Sequence, residues 1–167
     1  PLYKEIIEKI GNDNIIIMGD SAGGGLTLGL YEKVANENIE LPTKTILISP
    51  WLDVRLENEN IKKIEKRDTI LNKGTLKLAG IAYAGNDGMN SYLVNPIDGD
   101  LSKLKNIKIF IGTDDLLNPD CKLLKEKAEA VKGDVEIREY EGAKHIWMID
   151  NNSEQSITQE AYNDMIE

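Results

Sequence analysis

The apolar run Ile15-Ile16-Ile17-Met18 passes without a break into Gly19-Asp20-Ser21-Ala22-Gly23-Gly24, and a helical pattern continues to Asn36. The run predicts a strand over 14–18 that is buried on both faces. A chain that leaves such a strand and enters a helix within a few residues must double back tightly. Side chains would collide there, which accounts for the small residues at the junction. The G-x-S-x-G spacing of Gly19, Ser21 and Gly23 holds a serine hydroxyl clear of the sheet. A phosphate-binding loop fits worse. No Lys-Ser/Thr follows, and Leu28 stands where a dinucleotide fingerprint needs its third glycine. A glycine-rich turn with an incidental serine is the plainer alternative.

The rest of the chain alternates in the same way. Ile6, Ile7 and Ile10 predict an amphipathic helix over 2–10, closed by Gly11. The helix from Ala22 to Asn36 carries Leu26, Leu30 and Val34 on one side. Thr45 to Ser49 reads as a second strand, stopped by Pro50. The stretch from Arg55 to Lys73 is charged, with short helical pieces expected around Ile61, Ile64 and Asp68 to Leu71. It reads either as part of a lid or as a solvated face. A helix over 75–83, a turn at Asn86-Asp87-Gly88 and a third strand over 107–111 follow. Pro119 suits the first turn of a helix reaching about Lys132. Val135 to Tyr140 alternates as a fourth strand near a sheet edge, and Ser153 suits the cap of a last helix through Met165 and Ile166. Strands alternating with helices predict an α/β fold with a parallel sheet.

Composition narrows the function. Hydrophobic residues make up 41% of 167 and charged residues 29%, enough for one domain with a packed core. A formal net charge of -9 argues against nucleic acid as a partner, since an acidic surface repels phosphate. No apolar run approaches the roughly 18 residues of a membrane span. One cysteine, Cys121, excludes an internal disulfide and points to a cytoplasmic location. The single histidine, His145, removes any multi-histidine metal site. The chain begins at Pro1 rather than Met, which leaves a signal peptide open as an expectation.

A serine needs a base to become a nucleophile, usually a histidine held by a carboxylate. His145 follows the fourth strand, at the carboxyl end of the sheet where Ser21 also emerges. Asp114 and Asp115 follow the third strand at that same end, and either supplies the carboxylate. The order serine, acid, histidine is the chain order of α/β-hydrolases. Trp147, next to the base, is expected either in the core or along a substrate pocket.

These motifs resemble the hormone-sensitive-lipase-like esterases of the α/β-hydrolase fold, whose nucleophile motif G-D-S-A-G-G is present as Gly19 to Gly24. Ser49-Pro50-Trp51-Leu52-Asp53 is similar to the family's S-P-W-x-D segment, and Asn95-Pro96 with Gly99-Asp100-Leu101 to the approach to its penultimate strand. Gly112, Asp115 and Leu117 match G-x-x-D-x-L, which selects Asp115 as the acid, and Gly142 to His145 match G-x-x-H. The resemblance implies a three-layer αβα fold and hydrolysis of carboxylic esters by Ser21, His145 and Asp115, without metal or cofactor. The Ala22 N–H would bind the oxyanion, with Asp20, Gly23 and Gly24 shaping the elbow.

The resemblance also implies that residues 1–167 are the carboxyl-terminal part of that fold. The family's first strands, cap and His-Gly-Gly oxyanion loop would then lie outside this sequence. Two consequences are expected. Activity of this stretch alone would be weak or absent, because lost oxyanion donors cost on the order of 10²–10³ in rate. Ile15 to Ile17 would lie at an open sheet edge, covered by self-association or by an amino-terminal half. Two other readings stand beside the esterase: another acyl hydrolase, acting on amides or lactones, and a non-catalytic interaction module on the same scaffold.

Overall fold

The computed structural model describes residues 1–86, 88–149 and 155–166. Helix α1 (Leu2–Ile10) leads into strand β1 (Ile16–Asp20), which turns directly into α2 (Ser21–Asn36). Strand β2 (Lys44–Ile48) is followed by the short α3 (Ile61–Ile64) and by α4 (Lys73–Ala84). Then come β3 (Ile107–Gly112), α5 (Asn118–Ala130), β4 (Val135–Tyr140) and α6 (Gln155–Ile166). The four strands form one sheet in chain order, and every pairing is parallel. The expected α/β class and strand count hold.

Side chains alternate across a strand, so each residue's neighbours face the opposite layer. Leu47, Ile107, Ile109 and Ile111 meet Leu28 and Tyr31 of α2 and Leu124 and Ala128 of α5. On the other face Ile46, Ile48 and Phe110 pack with Trp147 and Met148, which precede α6, and with Ala161 on α6. Helices thus cover both faces, and β3 is buried along its whole length. The last turn of α6 is tied to the sheet by lysines. Lys108 Nζ donates to the Asp164 carbonyl at 3.0 Å and Lys44 Nζ to the Met165 carbonyl at 3.3 Å. Cations at a helix C-terminus complement its exposed carbonyls.

Three expectations change. The first strand is not buried on both faces: it starts at Ile16, pairs only with β2, and leaves Ile16 57% and Met18 49% exposed. The open edge at 15–17 is therefore present, although Ile15 itself is buried. Second, the side of α2 carrying Leu26, Leu30 and Val34 is buried only at Val34, with Leu26 and Leu30 61% and 37% exposed. Its buried face is built on Gly24, Gly25, Leu28, Gly29 and Tyr31. A Cβ on Gly25 would lie 2.1 Å from the Trp51 carbonyl oxygen, so backbone packs on backbone and an apolar count misses that face. Third, Asp68 to Leu71 is not helical. The Asp68 carboxylate accepts the N–H groups of Ile70 and Leu71, both at 2.8 Å, as an Asx turn.

Helix α1 and strand β4 have the expected bounds, and the remaining expected elements appear with boundaries moved by one or two residues, α4 being capped by Asn72 through the Thr75 N–H. Asp87 of the expected turn and Ser153 of the expected cap lie outside the described residues. No described helix is long and apolar enough to cross a membrane.

Candidate active site

Ser21 stands at the bend between β1 and α2 with φ 50°, a left-handed conformation that side-chain-bearing residues rarely adopt. The bend closes because Gly19 has no side chain. A Cβ there would lie 2.3 Å from the Gly23 carbonyl oxygen and 2.4 Å from the Thr27 hydroxyl. Gly24 is equally constrained, 2.7 Å from Pro50. Gly23 is not, since a Cβ there would meet nothing within 4 Å. The Trp51 N–H donates to the Ser21 carbonyl at 2.8 Å and pins the bend to the loop after β2.

Asp115 follows β3 and is completely buried. One carboxylate oxygen accepts the Leu117 N–H at 2.9 Å and the other lies 3.0 Å from His145 Nδ1. Asp114 turns away and pairs with Arg67 Nε at 3.3 Å. His145, after β4, is 3% exposed, and its Nε2 lies 2.9 Å from Ser21 Oγ. Three side chains from the ends of three parallel strands thus form one hydrogen-bonded line. The neutral imidazole tautomer that satisfies both bonds donates from Nδ1 to the carboxylate and accepts the serine O–H at Nε2. The Ala22 N–H, next to Ser21, lies in the first turn of α2, where helix geometry supplies no intrahelical acceptor.

The loops that carry these groups are locked to one another. The Asp114 N–H donates to the Ala143 carbonyl at 3.1 Å and the Gly142 N–H to Thr113 Oγ1 at 2.8 Å. Gly112 is required there, because a Cβ would lie 1.9 Å from the Ala143 carbonyl oxygen. Two holders were not singled out in the sequence. Asp68 accepts the Leu116 N–H at 2.8 Å, so one buried carboxylate joins the charged 55–73 stretch to the Asp115 loop. Ser49 Oγ accepts the Ile146 N–H at 3.0 Å, and both Ser49 (φ 47°) and Ile146 (φ 48°) hold left-handed backbone. An aspartate among many charges carries no sequence signal for this. Ser49 stood in a motif, but its partner lies 97 residues away. Trp147 is a core residue, tilted against Tyr140 at 5.1 Å between ring centres.

Elsewhere, burial pushes the Asp120 carboxyl up to about 6, against a lowering hydrogen bond from Asn58 at 3.0 Å. Burial also raises the Cys121 thiol well above its ordinary range, so it is a packing group rather than a thiolate. Among the described residues no group of three His, Cys, Asp or Glu side chains is arranged to hold a metal ion.

Residues 3–149 match the family described by the alpha/beta hydrolase fold, and the chain belongs to that family. It is 32% identical over 139 residues to an esterase of Acinetobacter venetianus, matching 82% of this chain and 46% of that protein. It is 26% identical over 146 residues to an acetyl-hydrolase of Streptomyces hygroscopicus, matching 87% of this chain and 49% of that one. Among solved structures, a hormone-sensitive lipase from a metagenome library superposes with a TM-score of 0.87 at 28% identity, covering 96% of this chain and 56% of that one. The resemblance to hormone-sensitive-lipase-like esterases therefore holds. The chain spans about half the length of the curated relatives it matches.

Proposed function

We propose that Ser21, His145 and Asp115 hydrolyse carboxylic esters through an acyl-enzyme. The observation that carries this reading is the unbroken line from Ser21 Oγ to His145 Nε2 at 2.9 Å and from His145 Nδ1 to Asp115 at 3.0 Å. Ser21 Oγ attacks the ester carbonyl carbon while its proton passes to His145 Nε2. The negative charge forming on the carbonyl oxygen is met by the Ala22 N–H. The bond to the leaving oxygen then breaks, and His145 returns its proton to the departing alcohol. Water attacks the acyl-serine with Nε2 again as base, releasing the acid and restoring Ser21. Asp115 keeps Nε2 free to accept and stabilises the imidazolium at each transfer.

Relatives named esterase and acetyl-hydrolase support an ester as the substrate class over an amide. The test is hydrolysis of p-nitrophenyl acetate and butyrate by the chain and by Ser21→Ala. The expected result is slow turnover in the parent, with Ala22 as its oxyanion donor, and loss of that turnover in the variant. Equal rates in the two proteins would contradict the assignment.

A further inference from the structure

We infer that Asp68 is a positioning residue for the proposed reaction, one that sets the direction of the Asp115 carboxylate and through it the tautomer of His145. The inference rests on Ser21, His145 and Asp115 acting as the triad. Asp68 is 8% exposed and accepts three backbone N–H groups, each at 2.8 Å. One carboxylate oxygen takes Ile70 and Leu71, which closes the turn before α4, and the other takes Leu116.

The Leu116 N–H belongs to the peptide unit that follows Asp115. That unit is planar, so fixing the direction of its N–H fixes ψ of Asp115. The other side of the residue is held less well. The Asp115 N–H reaches the Gly112 carbonyl at 3.4 Å, longer than the roughly 3.2 Å limit of an ordinary bond. Arg67 Nη2 donates to the Thr113 carbonyl at 3.1 Å and Nε pairs with Asp114 at 3.3 Å, but the Arg67 side chain is 52% exposed. Exposed ion pairs contribute little. A buried N–H that loses its acceptor is costly, so Asp68 is the stronger hold on the acid loop.

Apolar packing does not replace this bond. Leu116 and Leu117 pack with Leu56 and Ile61, which sets the depth of the loop. Such packing is non-directional and leaves the rotation of a peptide unit free. The chemistry is sensitive to that rotation. Asp115 holds the proton on His145 Nδ1 across 3.0 Å and so keeps Nε2 free for the serine proton. A carboxylate turned away releases the imidazole to both tautomers, and a misplacement of about 1 Å costs on the order of 10²-fold in rate.

The test uses two variants that keep the turn and lose the reach to Leu116. In Asp68→Asn the amide oxygen retains Ile70 and Leu71, and its NH₂ faces the Leu116 N–H. In Asp68→Ser the hydroxyl still accepts within the turn and is too short for Leu116. On p-nitrophenyl butyrate both should lose between about tenfold and 10²-fold in kcat, with KM within a few-fold of the parent. Arg67→Gln, which removes only exposed contacts, should lose less than about threefold. The second readout needs no turnover. The chain holds one histidine, so NMR of histidine labelled at its ring nitrogens reports His145 alone. With the ring neutral, the parent should show the Nδ1–H tautomer and both Asp68 variants a mixture of the two, circular dichroism confirming the fold. Folded variants that melt earlier but keep the parent's tautomer overturn the inference, whatever their kcat. A parent that hydrolyses no ester contradicts the proposed function, and the tautomer in the variants then decides the inference by itself.

Discussion

Asp115→Asn is expected to lower kcat for ester hydrolysis by about 10⁴-fold with KM changed only a few-fold. The carboxylate now accepts twice, from the Leu117 N–H at 2.9 Å and from His145 Nδ1 at 3.0 Å. An amide can accept with only one of its two heads. If its oxygen keeps the Leu117 N–H, its NH₂ faces Nδ1 and forces the imidazole proton onto Nε2. A protonated Nε2 cannot take the proton of Ser21, and the nucleophile stays an alcohol. The substrate still meets the same walls, so binding is nearly kept. Steady-state kinetics on p-nitrophenyl butyrate, with circular dichroism confirming the fold, checks this. A loss smaller than about tenfold would mean that Asp115 does not orient the base.

The second large effect concerns stability and lies outside the site. Glu32, on the buried face of α2, is 2% exposed, and neither carboxyl oxygen has a hydrogen-bond partner among the described residues. It presses on the backbone of Gly99, where a Cβ would lie 2.1 Å from Oε1. Burial pushes its carboxyl from 4.5 up to about 9, with the carboxylates of Asp100 and Asp98 adding to the rise and Lys127 opposing it. Between those two values the folded chain holds a proton that the unfolded chain releases. The ionisation of Glu32 therefore adds no penalty below about pH 4.5, and the penalty grows from there until about pH 9.

Glutamine is neutral throughout, so Glu32→Gln should stabilise the chain by about 3 kcal/mol at pH 7, with little effect near pH 4.5. In a chain of this length that is a rise of about 10 °C in Tm. Thermal unfolding at pH 5 and pH 8 checks the sign, since the gain must be larger at pH 8. An equal gain at both values, or a loss at pH 8, would show that Glu32 is already charged in the folded chain.

Some of this was legible before any coordinates. The strand-turn-helix at Ser21 announces itself because its neighbours must be small, and Asp115 and His145 follow strands whose composition marks them. Parallel strands then bring their carboxyl ends together, which turns three separate signals into one constellation. What escaped the sequence is contact between distant segments. The buried face of α2 uses glycines, so Leu26 and Leu30 mark its exposed side instead. Asp68 and Ser49 act through backbone N–H groups that lie 48 and 97 residues away. An apolar cavity lined by Ala22, Leu26, Trp51, Ala79 and Leu93 is assembled from four segments, none of which reads as a pocket by itself. The strand at Ile16 is apolar enough for a sheet centre, yet its place at the edge depends on which neighbours pair with it.

The central claim is that Ser21 is an activated nucleophile, and the most direct measurement is labelling with a fluorophosphonate, located by peptide mass spectrometry. The account predicts one adduct per chain, on Ser21, that disappears in Ser21→Ala and forms far more slowly in Asp115→Asn. A chain folded by circular dichroism that takes no label, or takes it at another residue, would contradict it.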